Sequence, residues 1–362
     1  MVKSEKDLKK TWQKNYYHDS TSAQTGRIKN FLFFLSVYAV ICLIGFVVEV
    51  GFRYHYSEKG WPKMYKAHPD IGWVNRAGWQ GIYQHRTVNI NNLGLRDLED
   101  VGPKQAHECR ILLLGDSITF GYDVDFKDTY GEQLEKILND HKRTTLDYRV
   151  LNAGVLGYNT VQEAEFLRLK GVTVKPDLII VGYCLNDTAP LSLSSARMLH
   201  VYNVSANRFN EFFMEHSATY FYITKFFHKH VAKKLLSEKD TDTFFTNRVS
   251  KEDEYLLVGD ALRKICTIAR GMNCPVILTV FPTEQQFDSK PVSFKPQIRL
   301  KTVVKDINLY WLDLASSYGA HISETLFLND KAHPNPRGHY LAARDIFQLI
   351  KENGLLDYLQ DE

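Results

Sequence analysis

The 362-residue chain predicts an α/β protein: a doubly wound parallel sheet, preceded by one transmembrane helix and a small strand-and-turn module. Three observations carry this expectation. From residue 109 onward, short apolar runs alternate with helical patterns, which builds a parallel sheet covered on both faces. One run, Ile111-Leu112-Leu113-Leu114, stops abruptly at Gly115-Asp116-Ser117, as a buried strand does where its chain turns at the sheet edge. Residues 31–48 carry no charge, close to the roughly 20 apolar residues a helix needs to cross a bilayer.

Composition excludes little else. Charged residues at 24% and hydrophobic residues at 44% are ordinary for a globular chain. A net charge of +3 without a basic recognition motif gives no reason to expect nucleic acid as a partner. The five cysteines have neither metal-ligand spacing nor a disulfide framework, so no metal and no cofactor is expected. Cys109 opens one strand and Cys184 closes its neighbour, which separates them in a parallel sheet. Cys266 and Cys274 flank one helix-to-strand turn and can meet there; buried free thiols are the simpler expectation.

Residues 1–30 are polar and basic, a solvated tail. Residues 31–50 form the anchor, with Glu49 closing the uncharged run; no small-residue cleavage site follows. The basic tail favours a cytoplasmic N-terminus, with everything after residue 50 outside the cytoplasm, although Arg53, Lys59, Lys63 and Lys66 blunt the asymmetry. Residues 51–108 hold aromatic and turn residues (Trp61, Trp73, Trp79, Gly94) between short alternating runs, the small extracytoplasmic module. Residues 109–362 form the α/β domain. Its strands are expected at 111–114, 149–151, 178–181, 276–280 and 309–314, and its helices at 130–142, 160–170, 252–270 and 297–304. A last helix begins near Arg337, capped by Asn335 with Pro336 in its first turn. Residues 188–250 interrupt the alternation as an insertion too long for an ordinary connection. Within it Tyr220, Ile223, Phe227, Val231 and Leu235 share one helical face and Lys225, Lys229 and Lys233 the opposite one. That helix either caps the core or forms a lid or membrane-surface helix beside the substrate cleft.

The chemistry is read from strand-end loops, because ligands of open α/β sheets bind at that edge. Ser117 stands on the turn after the first strand as a candidate nucleophile. A serine hydroxyl needs a base within hydrogen-bond reach, and His333 in Asn329-Asp330-Lys331-Ala332-His333-Pro334 is the best placed. Asp330, three residues earlier, can fold back and fix the tautomer of the imidazole. His228, His230 and His339 sit on helical patterns, where solvated faces account for them. Attack on an ester builds an oxyanion that needs fixed donors. Gly154 in Asn152-Ala153-Gly154 offers a backbone N–H, and Asn186 in Leu185-Asn186-Asp187 offers an amide.

Together, Gly115-Asp116-Ser117-Ile118-Thr119, Gly154, Asn186-Asp187 and Asp330-Lys331-Ala332-His333 resemble the sequence blocks of the SGNH/GDSL hydrolase superfamily, over residues 109–350. The stretch Val88-Asn89-Ile90-Asn91-Asn92-Leu93-Gly94-Leu95-Arg96 is similar to the segment preceding this domain in membrane-anchored bacterial members. The resemblance implies a flavodoxin-like sheet (the SGNH hydrolase fold). It also implies Ser117 as nucleophile, His333 as base and acid, Asp330 as orienting carboxylate, and an oxyanion hole of the Ser117 N–H, Gly154 and Asn186. The expected function is a membrane-anchored serine esterase, held by residues 31–50 and acting on an ester-bearing glycan or lipid of the envelope. An O-acyltransferase that passes the acyl group to a surface polysaccharide is the alternative within catalysis. A catalytically idle polysaccharide or assembly scaffold is the alternative outside it.

Overall fold

The computed structural model describes residues 5–57, 63–142, 145–188, 207–235, 252–288 and 293–357. Helix α1 (Glu5–Ser57) is continuous, so the expected tail is already helical from Glu5. No proline interrupts it, and each added residue gains an i→i−4 hydrogen bond once the helix is nucleated. Within it Arg27–His55 is long and apolar enough to cross a membrane, and its most apolar part is not buried among the described residues.

Two antiparallel pairs follow, β1 (Tyr65–His68) with β2 (Gly72–Asn75), and β3 (Gln80–Tyr83) with β4 (Arg86–Asn89). The main sheet is all parallel: β5 (Glu108–Gly115), β6 (Asp147–Asn152), β7 (Leu178–Tyr183), β8 (Val276–Val280) and β9 (Tyr310–Asp313). Its order is β6-β5-β7-β8-β9, the flavodoxin-like order. The chain leaves β5 toward one edge and returns to pair β7 on β5's other side, so loops diverge at the β5/β7 switch point. All five expected strands appear, the last of them shortened from 309–314 to Tyr310–Asp313. Pairing with β5 carries β6 two residues further back, through Asp147 opposite Glu108.

Apolar alternation along the central strands splits the core in two. Leu112, Leu114, Ile179 and Val181 face one buried cluster, while Ile111, Leu113, Leu178 and Ile180 face the other. The short helix α2 (Ser117–Phe120) opens from β5. Helices α3 (Tyr130–His141), α4 (Thr160–Leu169) and the final Pro336–Glu352 helix begin where the chain supplies caps. Thr129 accepts from the Glu132 N–H, Asn159 and Gln162 form a capping box, and Asn335 accepts from Arg337 and Gly338.

The insertion contributes α5 (Arg208–His216) and α6 (Ala218–Leu235). The apolar face expected on α6 does not turn into the core: Ile223 and Phe227 are exposed, whereas Ala218 and Phe221 are buried. The side chains of His228, Lys229, His230, Val231, Lys233 and Leu235 lie outside the described residues. Then come α7 (Glu252–Arg270), α8 (Glu284–Asp288), α9 (Lys295–Val304), α10 (Ala315–Ala320) and α11 (Pro336–Glu352). All five cysteines are free thiols, so Cys266 and Cys274 do not bridge; burial pushes them up to about 11 and about 12.

Candidate active site

Ser117 opens α2 immediately after β5, with Asp116 as the N-cap, whose Oδ1 accepts from the Ile118 N–H at 2.9 Å. The cap fixes the turn and leaves the Ser117 hydroxyl half-buried at the sheet's carboxyl edge. His333 comes from the loop before α11, 216 residues away in sequence, and its Nε2 lies 2.8 Å from Ser117 Oγ. His333 Nδ1 lies 2.6 Å from Asp330 Oδ2. The serine oxygen is also 3.2 Å from Asp116 Oδ2, so its single proton has two acceptors within reach.

The loop carrying Asp330 and His333 is closed on itself. Leu328 N–H donates to His333 O and Lys331 N–H donates to Leu328 O, while Lys331 takes φ +62° to complete the turn. Asp330 Oδ1 accepts the Ala332 and His333 N–H groups, both at 3.0 Å. Burial draws the Asp330 carboxyl upward, but the hydrogen bond from His333, that ring's charge and the two backbone donors outweigh it and hold the group at about 2. It is therefore a carboxylate at any physiological pH, the state that favours the Nδ1–H tautomer. Tyr122 covers the imidazole with ring centroids 4.6 Å apart, a packing partner that the sequence reading did not identify.

The expected oxyanion donors are placed unequally. No described residue accepts the Ser117 N–H. Gly154 is buried, and its N–H donates to Asn152 Oδ1 at 3.0 Å. It is held so closely that an added Cβ would collide with the Phe120 backbone nitrogen; the glycine serves close packing against the Ser117 turn. Gly157, in the same loop at φ +76°, has an N–H that no described residue accepts. Asn186 lies in the turn Leu185–Thr188 after β7, but its side chain lies outside the described residues.

Beneath the serine, Cys184 Sγ is 3.0 Å from Asp116 Oδ2, and Asp187 Oδ2 accepts the Cys184 N–H. Asp116, Cys184 and Asp187 thus interlock within 4.8 Å as a buried hydrogen-bonded set. His339, expected on a solvated face, is instead buried, and its Nδ1 accepts the Tyr130 N–H at 3.2 Å. Burial, then the Arg96 charge, pushes it down to about 3, so it remains a neutral structural acceptor that holds the start of α3.

A second tier braces these loops from residues 63–101. Arg96, 1% exposed, donates to the carbonyls of Phe120, Gly121 and Val124 and lies over the Phe120 ring. Asn75 donates to Gly154 O and Trp73 to Leu156 O, while from the end of β6 Asn152 Nδ2 donates to Thr119 O at 2.7 Å. Sequence reasoning missed these roles. Arg96 and Asn75 stand among other polar residues such as Arg76, Asn91, Asn92 and Asp97, so nothing in the sequence singled them out.

A parallel α/β sheet whose carboxyl edge gathers a serine, an imidazole and a carboxylate in hydrogen-bonded sequence belongs to the class of serine hydrolases. The chain is a member of the GDSL-like lipase/acylhydrolase family, whose profile matches residues 113–341, and it is a serine hydrolase acting on ester bonds. No curated protein matches the chain. Among solved structures it is similar to a two-domain esterase active on acetylated mannans, with 16% identity, a TM-score of 0.43, and 71% of this chain and 51% of that one covered. The chain thus spans about half the length of that protein. A catalytic mutant of an acetylxylan esterase from Geobacillus stearothermophilus gives 15% identity, a TM-score of 0.43, and coverage of 69% and 95%. A lipase/acylhydrolase from Enterococcus faecalis gives 17%, 0.40, and coverage of 68% and 96%.

Proposed function

We propose that this esterase is anchored in a membrane through α1 and cleaves an acyl ester of an envelope glycan or lipid through a covalent acyl-enzyme. The observation that carries the reading is the chain Ser117 Oγ–His333 Nε2 at 2.8 Å and His333 Nδ1–Asp330 Oδ2 at 2.6 Å. In the proposed cycle Ser117 Oγ attacks the ester carbonyl carbon as its proton passes to His333 Nε2. The Asp330 carboxylate stabilises the imidazolium without taking the proton. The tetrahedral oxyanion is met by the Ser117 N–H, by the Gly154–Gly157 loop and by the Asn186 amide. Because the Gly154 N–H already has an acceptor in Asn152, Gly157, whose N–H no described residue accepts, is the better backbone donor of that loop. Collapse expels the alkoxide, which takes the proton from His333 and leaves as an alcohol. Water, activated by the same imidazole, then releases the acid.

The test is labelling of the full-length protein with a fluorophosphonate, followed by an acyl-chain-length series of model esters. Labelling at Ser117 that requires His333 is the expected result. Absence of labelling in folded protein would overturn the mechanism and leave the idle scaffold. For the anchor, alkaline carbonate should leave the protein with the membrane, and protease added outside intact cells or spheroplasts should reach the catalytic domain. Full protection would reverse the orientation, which rests on the basic N-terminal residues.

A further inference from the structure

Four strongly exposed phenylalanines lie outside α1 among the described residues: Phe209 (69%), Phe212 (54%), Phe226 (52%) and Phe227 (64%). All four are on α5 and α6, and Ile223 (58%) joins them. The opposite sides of these helices are committed to the protein. Glu211, Met214, Ala218 and Phe221 are buried, Lys63 Nζ sits 3.0 Å from Met214 Sδ, and Arg76 pairs with Glu215 at 2.7 Å. With one side already seated on the protein, the pair still exposes a cluster of large aromatic side chains, more than a soluble surface usually shows.

The turn between α5 and α6 is fastened to the anchor helix. Glu49 accepts the Ser217 hydroxyl at 2.8 Å and the Ala218 and Thr219 N–H groups at 2.8 and 3.1 Å. Arg53 binds Glu49 and the His216 carbonyl, and Phe52 stacks on Tyr222 at 4.8 Å. Glu49 is the first charge after the uncharged run 31–48, so this clamp stands where a membrane-crossing helix must re-enter polar surroundings. Exposed Arg53, Arg208 and Lys225 accompany the aromatic surface, the composition that suits a headgroup boundary.

We infer that the α5–α6 hairpin lies in the headgroup boundary of the same bilayer that α1 crosses, a second lipid contact that fixes the orientation of the catalytic domain. Continuity with the apolar surface of α1 selects lipid over a protein partner, and the inference rests on the anchor reading above. Residues in such a position sit roughly 5–10 Å into the boundary.

The experiment uses the full chain in nanodiscs with a Cys42→Ser background, because Cys42 is the exposed thiol and the other four are buried. An environment-sensitive fluorophore is attached at Phe209→Cys, Phe227→Cys, Leu98→Cys or Phe46→Cys in turn. Lipids brominated high on their acyl chains should quench positions 209 and 227 at least about twofold, with protection from aqueous iodide. Position 98, exposed beside the Asp97–Arg149 pair, should show the reverse, and position 46, less than one helical turn inside Glu49, should respond to the same shallow bromine. If 209 and 227 behave like 98, or are shielded from bromine and iodide alike as a protein cover would make them, the lipid contact is wrong while the anchor stands. If position 46 is also insensitive to bromine, the anchor itself fails.

Discussion

The carboxyl-edge loops and the segment of residues 63–101 divide the work of the site between them. Ser117, Asp330 and His333 are joined to one another and sit on turns closed by their own backbone, so their geometry is local to each loop. Arg96, Asn75 and Trp73 make no hydrogen bond to those three side chains, yet they grip the carbonyls of the turns that carry or face the serine. The candidate site therefore sits in half-buried loops that are braced from chain preceding the sheet. The two regions should separate by mutation: one changes turnover without changing stability, the other changes stability first.

The largest effects belong to the edge. Ser117→Ala and His333→Ala should each lower ester hydrolysis by at least about 10⁴-fold, with a melting temperature close to the parent's by calorimetry. Asp330→Ala should be milder, by about one to two orders of magnitude, because the carboxylate orients and stabilises a base that remains present. A Ser117→Ala protein with full activity would end the proposed mechanism. Arg96→Ala comes next and should show the opposite signature. It removes three hydrogen bonds to buried carbonyls and leaves those acceptors dry, costing about 3–5 kcal/mol in denaturant unfolding. Turnover per folded molecule should fall less than about tenfold, since the variant removes no reacting group. Asn75→Ala, which frees the carbonyls of Gly94 and Gly154, should cost about 1–2 kcal/mol with the same bias toward stability.

This division also explains what could be read from the sequence. The sheet was legible because β5, β7 and β8 are buried on both faces and read as unbroken apolar runs. Asp330 and His333 were legible because their spacing makes one closed turn. Arg96 and Asn75 were not, since their partners are backbone carbonyls contributed by distant loops, and carbonyls leave no trace in side-chain identity. Gly154 marked a loop that packs on the Ser117 turn, but whether its N–H faces solvent or Asn152 depends on a side chain two residues away. His339 misled for a related reason: a histidine on an amphipathic helix looks solvated until its packing against Tyr130 is known. The face of α6 carried the right period, but periodicity alone does not say whether an apolar face meets core or lipid.

The smallest expected effect tests the joint between the two regions. Glu132 on α3 stands near Glu135 and near Asp97 of the bracing segment; burial first, then those two charges, raises its carboxyl to about 8 despite Arg149 and Arg96. In the unfolded chain the same group ionises near 4.5. Its neutral form is thus the one the fold accepts, and the associated stability is fully present below 4.5 and is lost as pH rises through 8. Glu132→Gln keeps the shape without the proton to lose. The variant should match the parent near pH 4, then exceed it progressively toward pH 8, by at least about 2 °C in melting temperature. A constant offset at all pH values would mean that the substitution acts through helix propensity or packing. A gain confined to the higher pH range would locate an electrostatic cost at the seam where the bracing segment meets the catalytic sheet.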